Sequence, residues 1–257
     1  HTIFHQPQRN LTLQIGNGAV IAAKTGMDTI VDFRSLDIAL GGQGAPLVPM
    51  GDQLLFSEYD ICLNLGGISN ISFRKNEKRL AFDISPCNIP LNRLSGKMGY
   101  EMDRDGLLAQ SGEIDEPILS ALNKLEYYQR TGPKSLGMEW INEYFLPVLD
   151  NTRLPVETLL CTVTEHIALQ IADTLNQIPG NTVLATGGGA KNKYLIERIT
   201  GHCNKKIIVP DEIIIEYKEA IVFAFLGLLR VLGLPNTLSS VTGASRDSCG
   251  GTLFKIT

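Results

Sequence analysis

Apolar and polar residues alternate in short runs over the first third of the chain, as they do in half-buried β-strands. The turn residues Gly66-Gly67 and Lys75-Asn76-Glu77 separate the last three of these runs. Strands are predicted over residues 10–15, 59–65, 70–74 and 78–84, and a short helix over 18–25. Three consecutive strands with short connections favour an antiparallel meander.

Beyond residue 155 the apolar spacing changes to that of a helix. Leu159, Val163, Ile167, Ile171 and Leu175 recur every four residues and predict an amphipathic helix over 155–177. Further strands are predicted over 182–186 and 206–209, and further helices over 191–200 and 216–232. The last helix is mostly apolar, which favours a buried position. A meander followed by alternating strands and helices predicts an α/β fold, with a mixed sheet and flanking helices.

Composition narrows the class of protein. The 257 residues are 44% hydrophobic and 19% charged, as is ordinary for a globular protein with a substantial core. A net charge of −4 without a long basic run argues against a nucleic-acid partner. No run reaches the roughly 20 apolar residues of a membrane span. Five scattered cysteines, without the spacing of metal ligands, favour reduced thiols in a cytoplasmic protein and predict no metal held by protein side chains.

Two glycine-rich segments are candidates for binding a nucleotide. At Asn64-Leu65-Gly66-Gly67 an apolar strand runs into a double glycine, which is typical either of a phosphate-cradling hairpin or of a plain turn. At Gly187-Gly188-Gly189 a strand ends in three glycines before a helix, a geometry that favours a ligand at the helix start. Neither segment has the spacing of a Walker loop or of a dinucleotide fingerprint.

Single charged residues suggest further chemistry. Asp83 lies in a predicted strand, where aspartate is disfavoured, so it either activates a hydroxyl or water as a base or caps the turn at Ser85-Pro86. Arg34 either binds a carboxylate or phosphate group or pairs with Asp37. Glu219, in an otherwise apolar helix, is either a polar edge residue or an acceptor for sugar hydroxyls.

Several of these segments, in this order, resemble the anhydro-N-acetylmuramic acid kinase family. The matching stretches are LTLQIGNG, VDFRSLDIALGGQGAPLVP, LNLGGISNIS, FDISPCN, DRDG, GPKS, ATGGGAKN and LPNTLSSVTGAS. The GGQGAPLVP run is the most specific of them. The resemblance implies an actin/hexokinase-like (ribonuclease H-like) fold and a cytoplasmic enzyme of peptidoglycan recycling, possible as a homodimer.

The resemblance also implies a reaction and a set of residues. ATP with Mg²⁺ would be used to open 1,6-anhydro-N-acetylmuramic acid with water and to phosphorylate O6, giving N-acetylmuramic acid 6-phosphate. Asp83 would be the general base, and Arg34 and Glu219 would contact the sugar. The nucleotide would be bound by Asn64, Gly66, Gly67, Gly187, Gly188 and Gly189. Magnesium would be held mainly by phosphates and water.

Some positions depart from the family pattern. Ser85 and Cys87 stand where the family usually has glycines after the catalytic aspartate, which would narrow the space beside the phosphoryl acceptor. The family's first phosphate-binding segment would precede His1. We therefore expect an incomplete N-terminal lobe, with residues 1–31 as its remnant, 32–257 as the C-terminal lobe, and impaired activity in this chain alone. The alternatives are a kinase for a different amino sugar and a non-catalytic sugar- or nucleotide-binding protein.

Overall fold

The computed structural model describes residues 2–9, 11–130 and 132–256. The strands are β1 (Thr2–Gln6), β2 (Leu11–Gln14), β3 (Thr29–Val31), β4 (Ile61–Leu65), β5 (Ile68–Lys75), β6 (Lys78–Pro86), β7 (Thr182–Thr186), β8 (Lys206–Ile208) and β9 (Thr252–Phe254). Three of the predicted strands, over 59–65, 78–84 and 182–186, correspond closely to β4, β6 and β7.

The α-helices lie between these strands and mostly follow the meander. They are α1 (Gly18–Thr25), α2 (Ser35–Ala39), α3 (Val48–Leu54), α4 (Asn88–Gly96), α5 (Leu107–Ser111), α6 (Glu116–Asn123), α7 (Glu126–Gln129), α8 (Met138–Trp140), α9 (Leu146–Asp150), α10 (Val156–Gln177), α11 (Lys193–His202), α12 (Glu212–Val231) and α13 (Ser239–Thr242). Short 3-10 turns cover Pro7–Arg9, Arg104–Gly106 and Gly188–Lys191, and a π-helical turn covers Ile141–Phe145. Within the described ranges no helix is both long and apolar enough to cross a bilayer.

The chain forms two compact units. The first contains residues 1–57, 75–80 and 219–257, and the second contains 58–74 and 81–218. The predicted division at residue 31 follows a different criterion, the lobes of the family fold, and stays a prediction.

A five-stranded mixed sheet organises the second unit, in the order β6-β5-β4-β7-β8. The central strand β4 pairs antiparallel with β5 and parallel with β7, and β7 pairs parallel with β8. The predicted meander is therefore β4-β5-β6. Asn76 and Glu77 adopt φ values of 49° and 63°, the left-handed conformation that a tight hairpin turn needs. The α/β class and the mixed sheet with flanking helices are confirmed.

Helix α10 contributes a large part of the buried core of the second unit. The five apolar residues that predicted it are all buried, at 3% exposure or less. The helix packs against α4, α5, α6 and α11. Because neighbours surround it, Thr162, Thr164 and His166 on its other faces are buried as well.

The first unit contains two small antiparallel sheets, β1-β2 and β3-β9, with α1, α2, α3, α13 and part of α12. The predicted helix over 18–25 is confirmed as α1. Its bounds follow from capping signals at both ends. The Asn17 side chain accepts a hydrogen bond from Val20 N–H at 3.2 Å, and Gly26 adopts a left-handed φ of 67° after the last turn.

Helix α12 differs from its prediction in extent and in burial. It begins at Glu212, four residues earlier than expected. Val222 and Leu226 are fully buried, whereas Leu228 is 51% and Val231 62% exposed. The predicted buried position therefore holds for one face of the helix and not for the other, because an apolar composition does not specify how many faces find neighbours.

Candidate functional site

The two glycine-rich segments meet at one edge of the five-stranded sheet. Strands β4 and β7 are parallel neighbours, with Asn64 beside Thr186 in the register. Their carboxyl ends therefore carry Gly66-Gly67 and Gly187–Gly189 to the same edge. In α/β sheets this edge is the usual position for a ligand.

The three consecutive glycines differ in whether the backbone angle and the neighbouring atoms would permit a side chain. Gly187 has a φ of 82°, and a Cβ atom there would lie 2.6 Å from Asn64 Oδ1. A Cβ atom on Gly189 would lie 2.9 Å from Asn88 Oδ1 and from Leu65 Cβ. Gly188 has an ordinary φ and would meet nothing closer than 3.6 Å. Local packing thus explains Gly187 and Gly189, whereas the exposed Gly188 leaves open space beside the strand end.

Asn88, at the start of α4, fastens the first glycine segment and was not predicted. Its side-chain Nδ2 donates to Leu65 O at 2.9 Å, and its backbone N–H donates to Gly66 O at 3.1 Å. Cys87 N–H donates to Gly67 O at 2.8 Å. These bonds hold the Gly66-Gly67 turn against the helix. The segment FDISPCN contains Asn88, but its type and place in the sequence gave it no role of its own.

Asp83 lies in β6 and is bound to the segment that follows α7. Leu136 N–H donates to Asp83 Oδ2 at 2.9 Å, and Asp83 N–H donates to Lys134 O at 2.9 Å. The Tyr127 hydroxyl donates to Asp83 O at 2.6 Å. The alternative in which Asp83 caps the turn at Ser85-Pro86 is wrong, because its carboxylate instead accepts from a residue 53 positions later.

Burial raises the pKa of Asp83 above its usual value, and the hydrogen bond from Leu136 N–H lowers it by less. The carboxylate is half-buried. Within the described residues its other oxygen, Oδ1, accepts no hydrogen bond. Such a carboxylate can accept a proton from a water or hydroxyl that reaches Oδ1.

Arg34 and Glu219 line the same cavity in the first unit, which has a volume of about 350 Å³. The remaining lining residues are Thr2, Gln14, Asp32, Phe33 and Phe223. The rings of Phe33 and Phe223 pack edge to face, with centroids 5.9 Å apart. The sequence alone did not identify these five residues as neighbours, because they lie on β1, on β2, before α2 and on α12.

Arg34 is fixed by the loop that follows α2. Its Nη1 donates to Gly44 O at 2.6 Å. The fully buried Asp37 carboxylate accepts from Gly44 N–H at 2.7 Å and from Thr242 Oγ1 at 2.7 Å. The alternative Arg34–Asp37 ion pair is not formed within the described residues. Burial lowers the pKa of Arg34, and the nearby Glu219 carboxylate raises it.

Comparison with known families shows to which family the chain belongs. A family model described as anhydro-N-acetylmuramic acid kinase matches residues 1–256. The chain belongs to the anhydro-N-acetylmuramic acid kinase family.

Relatives that carry the family name span most of the chain. The anhydro-N-acetylmuramic acid kinase of Aliivibrio fischeri is 37% identical, over 98% of this chain and 73% of its own length. That of Gloeobacter violaceus is 38% identical, over 95% of this chain and 70% of its own length.

Among solved structures, the likenesses are weaker. The activator of the 2-hydroxyisocaproyl-CoA dehydratase from Clostridium difficile has a TM-score of 0.43 and 15% identity, over 68% of this chain and 61% of that one. A xylulose kinase from Brucella ovis has a TM-score of 0.39 and 16% identity, over 59% of this chain and 35% of that one. Likenesses of this size carry no argument about this chain.

The two residues at which we expect a departure from glycine, Ser85 and Cys87, are both inside the protein. Ser85 and Cys87 have no exposed surface. Ser85 Oγ lies 3.0 Å from Tyr128 Oη and 3.0 Å from Pro86 O. Burial raises the pKa of the Cys87 thiol to about 12, so the unreactive thiol form prevails at neutral pH. Both side chains are therefore directed into the packing, and the expected narrowing of space beside the phosphoryl acceptor stays a prediction.

Proposed function

We propose that this chain is an anhydro-N-acetylmuramic acid kinase, which opens 1,6-anhydro-N-acetylmuramic acid with water and phosphorylates O6 at the expense of ATP. The observation that carries the proposal is the family match over residues 1–256. The half-buried Asp83 supports it, because its raised pKa suits a general base. The two glycine segments support it as well, because they lie at one sheet edge, where ligands commonly bind.

In the proposed reaction, Asp83 acts as the general base. Its Oδ1 takes a proton from the attacking water, the water oxygen bonds to C1 of the sugar, and the C1–O6 bond breaks. O6 keeps the electron pair of that bond and takes the γ-phosphoryl group, and ADP leaves. The hydrogen bond from Leu136 N–H holds Oδ2, so that Oδ1 is the oxygen available to water. A pKa raised by burial makes the carboxylate a stronger base than an exposed aspartate.

The nucleotide is assigned to the carboxyl edge of β4 and β7. Gly66 and Gly67 would face the phosphates, and Gly187–Gly189 the adenosine end. The open space beside Gly188 fits this assignment, since no packing contact requires glycine there. Magnesium, coordinated by phosphate oxygens and water, would neutralise phosphate charge during the transfer.

The anhydro-sugar is assigned to the cavity of the first unit. A volume of about 350 Å³ suits a ligand of monosaccharide size. Arg34 and Glu219 offer a donor and an acceptor to the hydroxyl, acetamido and carboxylate groups of the sugar. The Phe33 and Phe223 rings offer an apolar surface to its carbon–hydrogen face. The same proposal includes a cytoplasmic location and a homodimer.

The test is incubation with 1,6-anhydro-N-acetylmuramic acid, ATP and Mg²⁺ in ¹⁸O-labelled water, followed by mass spectrometry of the product. We expect N-acetylmuramic acid 6-phosphate with the label at C1 and none in the phosphate. Phosphorylation of another amino sugar alone would favour the kinase of different specificity. Sugar binding by calorimetry without turnover would favour the non-catalytic binding protein.

A further inference from the structure

A series of buried and half-buried polar side chains connects β6 to α10 and α6 inside the second unit. The Ser85 hydroxyl lies 3.0 Å from the Tyr128 hydroxyl, which lies 2.9 Å from His166 Nε2. On the other side of the ring, His166 Nδ1 lies 2.6 Å from Asn123 Oδ1. Ser85 and His166 have no exposed surface, so their polar atoms must find partners within the protein.

The partners fix the direction of each hydrogen bond. Gln170 Nε2 donates to Asn123 Oδ1 at 3.0 Å, so this oxygen is an acceptor and His166 Nδ1 carries the hydrogen. Burial lowers the pKa of His166 to about 3, so the ring is neutral and Nε2 is an acceptor. The Tyr128 hydroxyl therefore donates to Nε2. The Ser85 hydroxyl then donates to the Tyr128 oxygen and shares its hydrogen with Pro86 O, 3.0 Å away.

The same short helix also holds Asp83. Tyr127, the neighbour of Tyr128 in α7, donates its hydroxyl to Asp83 O at 2.6 Å. Two adjacent tyrosines thus bind β6 at alternate residues, Asp83 and Ser85. The indole of Trp140 packs on both rings, with centroid distances of 5.3 and 6.2 Å. Both hydroxyls are therefore attached to rings with little freedom to move.

We propose that Tyr128, oriented by His166, is a positioning residue that fixes the end of β6 on which Asp83 lies. The proposal rests on the role of Asp83 as general base in the proposed function. Ser85 is the point at which Tyr128 is joined to β6, through the 3.0 Å contact between the two hydroxyls. A strand end held at 83 and 85 keeps Oδ1 of Asp83 at a constant distance from the attacking water, and displacements of about 1 Å cost about a hundredfold in rate.

The kinetic test compares Tyr128→Phe with wild type in the full chain. We expect kcat to fall about tenfold to a hundredfold with little change in KM, because positioning acts in the transition state. Water entering beside a loosened strand would lower the raised pKa of Asp83, so the acidic limb of the pH–rate profile should move to lower pH. Tyr144→Phe, which changes a tyrosine 48% exposed, is the matched control and should leave both unchanged.

A second measurement does not need activity. The pKa of Asp83 is followed by ¹³C NMR of its carboxyl group in wild type, Tyr128→Phe and Ser85→Ala. The groups facing Asp83 are Leu136 N–H, the Tyr127 hydroxyl and the backbone of Lys134. Burial raises the pKa of Tyr127, so it stays protonated throughout the titration. We expect the pKa of Asp83 to fall towards 3.8 in both variants.

The outcomes separate the two proposals. If wild type neither phosphorylates nor binds 1,6-anhydro-N-acetylmuramic acid, the proposed function fails, and the NMR titration still decides whether Tyr128 controls the surroundings of Asp83. An unchanged pKa of Asp83 in Tyr128→Phe and Ser85→Ala, with only a lower melting temperature, overturns the positioning role. His166→Gln, which keeps an acceptor for Tyr128, should retain more kcat than His166→Leu. Ser85→Ala keeps every ring in place and gives the same decision if Tyr128→Phe does not fold.

Discussion

Replacing Asp83 by asparagine should abolish most activity and yet make the protein more stable at neutral pH. Asparagine keeps an oxygen that can accept the 2.9 Å hydrogen bond from Leu136 N–H, but it carries no charge. Burial raises the pKa of Asp83 by more than this bond lowers it, so the ionised carboxylate is less stable in the folded protein than in the unfolded chain.

The stability difference should depend on pH in a defined way. A carboxyl group whose pKa rises on folding contributes stability that is fully present below its unfolded pKa, near 3.8, and is lost as pH rises through the folded pKa. The asparagine side chain of the variant does not titrate. The variant's advantage should therefore start near zero at pH 3.5 and reach a plateau above the folded pKa. The plateau should equal about 1.4 kcal/mol for each unit by which the measured pKa exceeds its unfolded value.

The assay is urea unfolding of both proteins from pH 3.5 to 8, together with sugar phosphorylation. Loss of a general base should lower kcat about 10²- to 10⁴-fold. Asp173→Asn, at an exposed position of α10, is the control and should change the free energy of unfolding by no more than about 0.5 kcal/mol. A variant that is less stable than wild type at neutral pH, or a difference that does not vary with pH, would refute the reasoning.

Three further predictions concern other parts of the structure. Glu165→Gln should lower the free energy of unfolding by about 2 kcal/mol, because Glu165 accepts hydrogen bonds from Arg198 at 2.6 and 2.9 Å and from His202 at 2.7 Å. This is less than for a fully buried pair, since both partners are about a third exposed. Glu212→Gln, in an exposed pair with Lys191, should have a much smaller effect in the same urea titration. Gly187→Ala should lower the free energy of unfolding by about 2 kcal/mol, because Gly187 has a left-handed φ and a Cβ atom there would contact Asn64. Gly188→Ala should leave the melting temperature unchanged and raise KM for ATP. Equal melting temperatures of the two variants would contradict the packing argument. Arg34→Lys should weaken anhydro-sugar binding in calorimetric titration about tenfold through loss of the planar guanidinium, and Arg246→Lys, at an exposed position, should leave it unchanged.

Elements governed by local signals were predictable from the sequence. The five-residue stripe of α10 predicted its extent and one of its buried faces, and α1 carried both of its caps. The proximity of Asn64 to the glycines at 187–189 could also be predicted, because parallel strands bring their carboxyl ends to one edge of the sheet. Here each prediction rested on residues close in sequence, or on a general rule of sheet topology.

Features that depend on distant residues were not predictable. Leu136 N–H reaches Asp83 across 53 positions, and nothing in GPKS or its neighbours indicates this partner. The helices between residues 107 and 150 are short and lack a sustained apolar period, so the pattern did not identify them. Asn88 was overlooked because its bonds to Leu65 and Gly66 exist only after β4 and α4 have met.

The buried Asp37 has a consequence for how the protein is made. Its carboxylate shapes the loop that holds Arg34, and one of its two partners, Thr242, lies 205 positions later in the chain. Contacts of such long sequence separation form late, and a ribosome adds residues from the N-terminus onwards. The wall of the cavity around Arg34 is therefore finished only after Thr242 has been synthesised. A nascent chain halted before Thr242 carries every cavity residue in its sequence and still lacks the hydroxyl that completes the bonding of Asp37.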